Sequence, residues 1–291
     1  MTATDIHRAI TDTGTATDTR EGTAETRGAV ADTHASMTET HGAITGTSTG
    51  TYYDLPVVKA APWKWYVPTY FYLGGLAGAA STMGLERIAA AAEGAGAACL
   101  IADLGKPMRF IYMMRVFRPT SPMNMGTWIL SAATATTGLS LWAPNKVTRV
   151  ASAVTGAMLS TYTGVLVGNT ATPVWNRSRR VLPLFFAASS AASLGSLLEV
   201  LGQPRRRYSM IAKTAEVIGG AVVERAGGAV LRNNKLWRRS RWLGLASLAA
   251  TAFNRPRLAG VLGTASALLG RFAITDAGRA SANDPYETLR A

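Results

Sequence analysis

Long apolar segments separated by short basic loops dominate the sequence after residue 65. Four of these segments contain no charged residue over 18 to 27 positions: Tyr66–Leu85, Pro119–Asn145, Val150–Asn176 and Val181–Leu198. A helix rises about 1.5 Å per residue, so about 20 apolar residues cross the hydrocarbon core of a bilayer. Each of the four segments is therefore predicted to be a membrane-spanning helix.

Four further segments are apolar but are either short or interrupted by a charge: Ile88–Leu104, Tyr208–Val223, Trp242–Asn254 and Leu258–Gly270. Such helices are stable inside a bundle when neighbouring helices satisfy their polar groups. Gly, Ala and Ser are abundant in the spans, and small residues let helices approach closely in lipid. The sequence predicts an all-α integral membrane protein, a bundle of about eight transmembrane helices over residues 52–280, and a polar C-terminal tail at 281–291.

Residues 1–51 differ from the rest in composition. They are rich in Thr, Ala and Gly and have no apolar segment, and residues 1–50 contain three Arg against seven acidic residues. A segment of this kind buries too little apolar surface to offset the entropy lost on ordering. We expect a disordered, acidic N-terminal tail.

The positive charge lies in the loops between the apolar segments. The formal net charge is +13, and with eight spans sixteen Lys and Arg fall on the N-terminal side of the membrane against eight on the other side. Cytoplasmic loops carry the excess of Lys and Arg, so both termini are predicted to be cytoplasmic, in the cell membrane. Because the basic residues form no continuous stripe, we expect no nucleic-acid partner.

Cysteine and histidine usage limits the chemistry of the bundle. Cys99 is the only cysteine, which excludes a disulfide framework and a cysteine-ligated cluster within the chain. The three histidines, His7, His34 and His41, all lie in the N-terminal tail, so no His is available in the bundle as a haem ligand. We expect neither a haem nor an iron–sulfur cluster in this chain.

Three segments combine polar and aromatic residues in a way that ordinary spans do not. The first runs from Cys99 to Trp128 and contains Asp103 at the end of a helix, several basic residues and prolines that break the helix at two places. The second runs from Ser160 to Trp175, and the third, which is rich in aromatic residues, from Trp63 to Gly78.

These three segments resemble the NrfD/PsrC family, the integral-membrane subunits of polysulfide-reductase-type respiratory complexes. The likeness extends from Tyr52 to the end of the chain and includes a terminal block, 271–285, similar to that of actinobacterial members. The resemblance implies eight helices, no resident cofactor, and a pocket for exchangeable menaquinone or menaquinol. It also implies two partners used in anaerobic respiration: a ferredoxin-like 4Fe-4S subunit and a molybdopterin catalytic subunit.

The resemblance also implies which residues form the quinone site. Tyr162 matches the tyrosine that contacts the quinone in the family, and Asn169 follows it in the same motif. An Asn and a His on the family's first helix align with Val67 and Tyr70, of which only Tyr70 can form a hydrogen bond through its side chain. The quinone-binding set expected from the resemblance is Tyr162, Tyr70, Trp65, Tyr66 and Asn169.

Helix geometry places the main candidates near one face of the membrane. Tyr70 lies four residues into its span, Tyr162 about eight residues before the exit of its own, and Asp103 at a helix end, all towards the N-terminal side. A quinone needs hydrogen-bond partners and a titratable group for proton exchange, and Asp103 is the expected catalytic residue. Alternatively, Tyr162 is a core tyrosine, and Asp103 forms a salt bridge with Lys106 or Arg109.

Two other functions are compatible with the sequence. A transporter or channel could use a polar path along Asp103, Glu199 and Glu216, although no inverted repeat is visible. Alternatively, the chain is a structural anchor whose quinone site has decayed, which would explain why Val67 stands where the family has a residue that can form a hydrogen bond through its side chain. The leading hypothesis is a membrane anchor that passes electrons and protons between menaquinone and an external iron–sulfur subunit. Such a subunit would be inactive alone, within a polysulfide-reductase- or formate-dehydrogenase-like oxidoreductase.

Overall fold

The computed structural model describes residues 58–106, 108–284 and 286. The chain divides into two compact units, residues 1–54 and 55–291, and every described residue belongs to the second. The predicted N-terminal tail at 1–51 lies outside the described residues. In the described part the helices are α1 Tyr66–Thr82, α2 Glu86–Leu104, α3 Met108–Met114, α4 Pro122–Trp142, α5 Lys146–Gly168, α6 Pro173–Arg177, α7 Leu182–Val200, α8 Arg206–Asn233, α9 Lys235–Ala252 and α10 Pro256–Asn283.

The all-helical membrane bundle expected from the sequence is confirmed. Eight of the helices in the described part have 17 or more residues, one for each predicted span. The two longest connections between these helices, 105–121 and 169–181, each contain one of the short helices, α3 and α6. The first turn, between α1 and α2, contains Gly84 at φ 68°, a left-handed conformation that glycine adopts without steric cost. The last helix continues three residues past the predicted boundary at 280, to Asn283.

Small residues set the spacing between helices, as predicted for packing in lipid. A Cβ added to Gly78 of α1 would lie 2.8 Å from the backbone nitrogen of Ser160 in α5. A Cβ on Gly164 would lie 2.7 Å from Cα of Pro183 in α7. These glycines therefore allow close backbone contact of α5 with α1 and with α7.

The later helices carry charges that are paired inside the bundle. By length and composition alone, three described helices could cross a membrane, namely α5, α7 and α10, and a bent pair formed by α2 and α3 would make a fourth. Helix α8 is more polar, but its Lys213 is 1% exposed and its Nζ lies 2.6 Å from Oε2 of Glu199 on α7. Such pairing lets a polar helix lie within the membrane domain.

Tryptophans near the ends of membrane helices commonly form a belt at the interface, but two of them are buried in this bundle. Trp175 is 2% exposed and donates a hydrogen bond from Nε1 to the carbonyl of Ile274 at 2.9 Å. Trp237 is 1% exposed and donates to Oε2 of Glu224 at 3.1 Å. Both indoles act as packed core residues that have a hydrogen-bond partner, whereas Trp142 and Trp242 are exposed as an interfacial belt requires.

Candidate functional site

A cavity of about 110 Å³ opens among α1, α2, α4 and α5, near the end of the bundle where α1 begins. A second cavity of about 60 Å³ lies beside it and shares the lining residues Tyr70, Leu100, Met123 and Leu166. Tyr70 is buried, with 7% of its side chain exposed. Because it lines both cavities, its ring separates them. The larger cavity is lined by Trp63, Tyr66, Val67, Tyr70, Phe71, Cys99, Leu100, Asp103, Met123 and Leu166.

Tyr162 provides a polar atom in the smaller cavity. Its side chain is 6% exposed, and its hydroxyl has no hydrogen-bond partner in the described part of the chain. Burying a hydroxyl without a partner is costly, so such a group indicates a strained position or an absent ligand. No hydrogen bond of ordinary geometry joins this hydroxyl to a backbone carbonyl, although the backbone of Gly126 lies next to the phenol group and interacts with it.

The position of Tyr162 depends on a glycine in the next helix. A Cβ added to Gly126 of α4 would lie 2.8 Å from the hydroxyl oxygen of Tyr162. Only the absence of a side chain at residue 126 leaves room for the phenol ring. Gly126 lies in the Cys99–Trp128 motif, but no sequence signal distinguished it from the other glycines of the spans.

Asp103 lies at the rim of the larger cavity, in the last turn of α2. Its side chain is exposed and forms no ion pair with any described residue. The expected alternative, a salt bridge with Arg109, is not formed, because Arg109 donates from Nη1 to the backbone carbonyl of Leu104 at 3.1 Å. The carboxyl group of Asp103 is therefore available to water and to the cavity.

The remaining predicted site residues separate into two groups. Tyr66 lines the larger cavity together with Tyr70. Trp65 is 60% exposed, packs on the ring of Tyr66 at 4.5 Å between centroids, and does not line either cavity. Asn169 caps the end of α5 and donates from Nδ2 to the carbonyl of Val165 at 2.9 Å.

Asn169 lines a different feature, an open groove of about 550 Å³ on the outside of α4 and α5. Tyr162 lines both this groove and the smaller cavity. One tyrosine therefore stands between the interior space and the lipid-facing surface. The groove is otherwise lined by Pro119, Thr120, Pro122, Met125, Ile129 and Val165.

Two stacked indoles hold the segment that precedes α1. Trp63 stacks on Trp175 with 4.9 Å between centroids and an interplanar angle of 15°, and its edge meets Phe71 at 5.7 Å. Because Trp63 also lines the larger cavity, this stack fixes one wall of the site. Sequence reasoning placed Trp63 and Trp175 in two separate motifs and gave no sign that they touch.

The chain is an all-α membrane protein with two adjacent, largely apolar cavities near one end of the bundle. The chain belongs to the family described as polysulfide reductase, of the NrfD type, which matches residues 49–283. That membership makes it a membrane subunit of an oxidoreductase complex with catalytic and iron–sulfur subunits. No curated protein matches the sequence. Within the described residues, no cluster of His, Cys, Asp or Glu could hold a metal ion.

Proposed function

We propose that this chain is the membrane anchor of a respiratory oxidoreductase complex, and that its cavities bind menaquinone or menaquinol. The observation that carries the proposal is the buried hydroxyl of Tyr162, which lines a largely apolar cavity and forms no hydrogen bond of ordinary geometry with a described residue. A hydroxyl in this position can donate a hydrogen bond to a carbonyl oxygen of a ligand. Family membership makes a quinone the best-supported ligand.

The residues present fit a quinone in two respects. The aromatic and aliphatic lining suits a flat ring, and Tyr70 adds a second phenol next to Tyr162. The outer groove is lined mainly by apolar side chains and would suit an isoprenoid tail, which is as apolar as the lipid around it. Val67 contributes only packing to the lining, and we assign the hydrogen bonds to the ring oxygens to Tyr70 and Tyr162.

Asp103 gives the site a group that can exchange protons. A bound quinone supplies a two-electron, two-proton carrier, and its carbonyl oxygens must gain or lose protons. The exposed carboxyl of Asp103 at the cavity rim can pass a proton between the site and water on the N-terminal face. We assign Asp103 this role at the rim.

The same face carries the features expected of a docking surface for the iron–sulfur partner. Arg115 and Arg118 are exposed between α3 and α4, beside Ile111, Tyr112 and Phe117, whose side chains are 56%, 62% and 59% exposed. Across the same face, Arg232, Lys235, Arg238 and Arg239 are also exposed. A ferredoxin-like 4Fe-4S subunit with an acidic surface would bind here in a salt-sensitive manner and connect the site to a molybdopterin subunit.

The transporter hypothesis has less support. The polar path it needs would join Asp103 to Glu199 and Glu216. Asp103 lies at the rim of the cavity between α1 and α2, whereas Glu199 is bonded to Lys213, and Glu216 accepts a hydrogen bond from Ser189 at 2.7 Å. These side chains share no hydrogen bond, so we favour the quinone-reactive anchor.

A binding titration tests the proposal. Purified wild-type protein in detergent should bind a menaquinone analogue, and Tyr162→Phe should bind it about 2- to 10-fold more weakly, the loss of ~0.5–1.5 kcal/mol expected for one hydrogen bond. Tyr112→Phe is the matched control, because that hydroxyl is exposed and does not line either cavity. Absence of binding by the wild type would instead support a structural anchor.

A further inference from the structure

Five arginines lie together at the end of the bundle that is remote from the two cavities. They flank two turns, the one between α7 and α8 and the one between α9 and α10, and all five side chains are exposed. They are five of the eight basic residues that the sequence places on this face. We call them the arginine corner; its members are Arg205, Arg206, Arg207, Arg255 and Arg257.

Direct contacts join the two turns of the arginine corner. Arg206, the first residue of α8, donates from Nη2 to the backbone carbonyl of Ala252, the last residue of α9, at 2.9 Å. Arg255 follows Ala252 by three residues in the second turn. The end of α7 meets the start of α10, since a Cβ added to Gly260 would lie 2.9 Å from the backbone nitrogen of Val200. The four helix ends therefore meet in one place.

Both turns have the same backbone form. Gly202 in the first turn and Asn254 in the second have positive φ values, 73° and 55°. In each turn the amide of the next residue donates to the carbonyl five residues before it, at 2.8 Å in the first turn and 2.9 Å in the second. This is the Schellman ending of a helix, and a proline follows it in both turns. The backbone that carries the arginines is therefore fixed before any ligand binds.

The arginine corner lies at the membrane interface opposite the cavities. Helix α10 runs from Pro256 at the corner to Ile274, which is 18 residues and about 27 Å further along the helix. The carbonyl of Ile274 accepts the hydrogen bond of Trp175, and Trp175 stacks on Trp63, which lines the larger cavity. A separation of about 27 Å is close to the thickness of the hydrocarbon core of a bilayer.

The positive charge of the arginine corner is not neutralised by the described part of the chain. Ion pairs between described residues join Lys213 to Glu199 and Arg241 to Glu224, and none of the five arginines belongs to one. Five like charges in one place repel each other. The excess of Lys and Arg also belongs on the cytoplasmic face, which is here the N-terminal one. A concentration of arginines on the opposite face therefore indicates an anionic ligand.

Apolar side chains that face the lipid begin one helical turn from the arginines. Ile211 follows Arg207 by four residues on α8 and is 72% exposed, and Val261 follows Arg257 by four residues on α10 and is 59% exposed. Residues four apart lie on the same face of a helix. Each of these two faces thus changes from charged to apolar, as a phospholipid changes from head group to acyl chain.

We propose that the arginine corner binds the head group of an anionic phospholipid, whose acyl chains pack on the apolar faces of α8 and α10. The guanidinium group presents several N–H donors in a planar fork that matches phosphate oxygens. The net negative charge of the lipid offsets the repulsion between the arginines, which a zwitterionic lipid cannot do. The bound lipid stabilises the contact between the two turns. This inference is independent of the proposed quinone function.

A lipid titration of the purified, delipidated protein in detergent tests the proposal. Dioleoylphosphatidylglycerol is added in one series and dioleoylphosphatidylcholine in another, with bound lipid counted by native mass spectrometry and Tm recorded. The wild type should bind phosphatidylglycerol at least about 10-fold more tightly, and only this lipid should raise Tm. The double variant Arg207→Gln, Arg257→Gln should bind it about 10- to 30-fold more weakly. Neither side chain forms a hydrogen bond with a described residue, so the substitutions break no contact of the fold.

The matched control is the double variant Arg87→Gln, Arg149→Gln. It removes two exposed charges from the same face, at the starts of α2 and α5, and should bind phosphatidylglycerol like the wild type. Equal affinity of the wild type for the two lipids would overturn the proposal, whether or not any variant folds. So would equal phosphatidylglycerol affinity in the two double variants. A rise in Tm with inorganic phosphate as large as that with phosphatidylglycerol would also overturn it, because the ligand would then be a free anion.

Discussion

The phenol ring of Tyr162 lies directly over the backbone of Gly126. The two residues belong to neighbouring helices, α5 and α4, and a Cβ at Gly126 would come within 2.8 Å of the Tyr162 hydroxyl oxygen. The contact fixes the ring between the smaller cavity and the outer groove. The hydroxyl is held in place by packing and forms no hydrogen bond of ordinary geometry with a described side chain or backbone group, so we expect it to bond a ligand.

Gly126→Ala should therefore weaken quinone binding without a change at Tyr162 itself. The new methyl group must push the ring aside, and we expect a loss of affinity similar to that of Tyr162→Phe, about 2- to 10-fold. Quinone titration of the purified variant provides the measurement.

Gly138→Ala on the same helix is the control, because a Cβ there meets nothing within 4 Å. It should bind quinone normally and gain up to about 1 kcal/mol of stability from the better helix propensity of alanine. Equal quinone affinity in the two alanine variants would show that the position of the Tyr162 ring does not matter for binding.

The positions of the main candidate residues could be predicted from the sequence because they depend on helix ends. Charge-free segments gave the spans, and counting residues from their ends put Tyr70, Tyr162 and Asp103 near one face. The structure places Tyr70 in the lining of both cavities, Tyr162 in the smaller one and Asp103 at the rim of the larger.

Side-chain direction at helix ends could not be predicted in the same way. Trp65 and Tyr66 are neighbours at the start of α1, yet only Tyr66 lines the cavity, because successive residues on a helix point about 100° apart. Asn169 was expected at the quinone, but its amide bonds the carbonyl of Val165 in its own helix. Glu93 looked like an interruption of a span, since its hydroxyl partner Thr137 is 44 residues away in sequence.

The buried ion pair between Lys213 and Glu199 should be needed for stability rather than for quinone chemistry. The Nζ of Lys213 also donates to the hydroxyl of Thr251 at 2.9 Å, so the pair joins α7, α8 and α9. Lys213→Met leaves the Glu199 carboxylate buried without its partner, which should lower the free energy of unfolding by about 3–5 kcal/mol.

Thermal unfolding in detergent gives the measurement for this pair. The double variant Lys213→Met, Glu199→Gln should recover part of the loss, because no uncompensated charge remains. A single variant as stable as the wild type would show that water reaches the pair. Quinone affinity should stay unchanged in any folded variant, since neither residue lines the cavities.

The excess of Lys and Arg predicts that the N-terminal face is cytoplasmic. A cysteine at Thr120, which is exposed, reports on this face, whereas the neighbouring Ser121 is less suitable because its side chain caps α4. In a background lacking Cys99, Thr120→Cys should resist an impermeant thiol reagent added to intact cells. Gln203→Cys, exposed at the opposite end of the bundle, should react. The reverse pattern would put the iron–sulfur partner outside the cell.

Cys99 offers the most direct test of quinone binding in the unaltered protein. It is the only cysteine in the 291 residues, and it lines the larger cavity with its side chain partly accessible. A small alkylating reagent should therefore modify one position, read out by intact-mass spectrometry. If the cavity binds quinone, a menaquinone analogue should slow the alkylation of Cys99 in a saturable manner. The half-saturating concentration should equal the dissociation constant found by titration. In Tyr162→Phe, a higher concentration of the analogue should be needed for the same protection. Alkylation at the same rate with and without saturating quinone would contradict the assignment of this cavity as the quinone site.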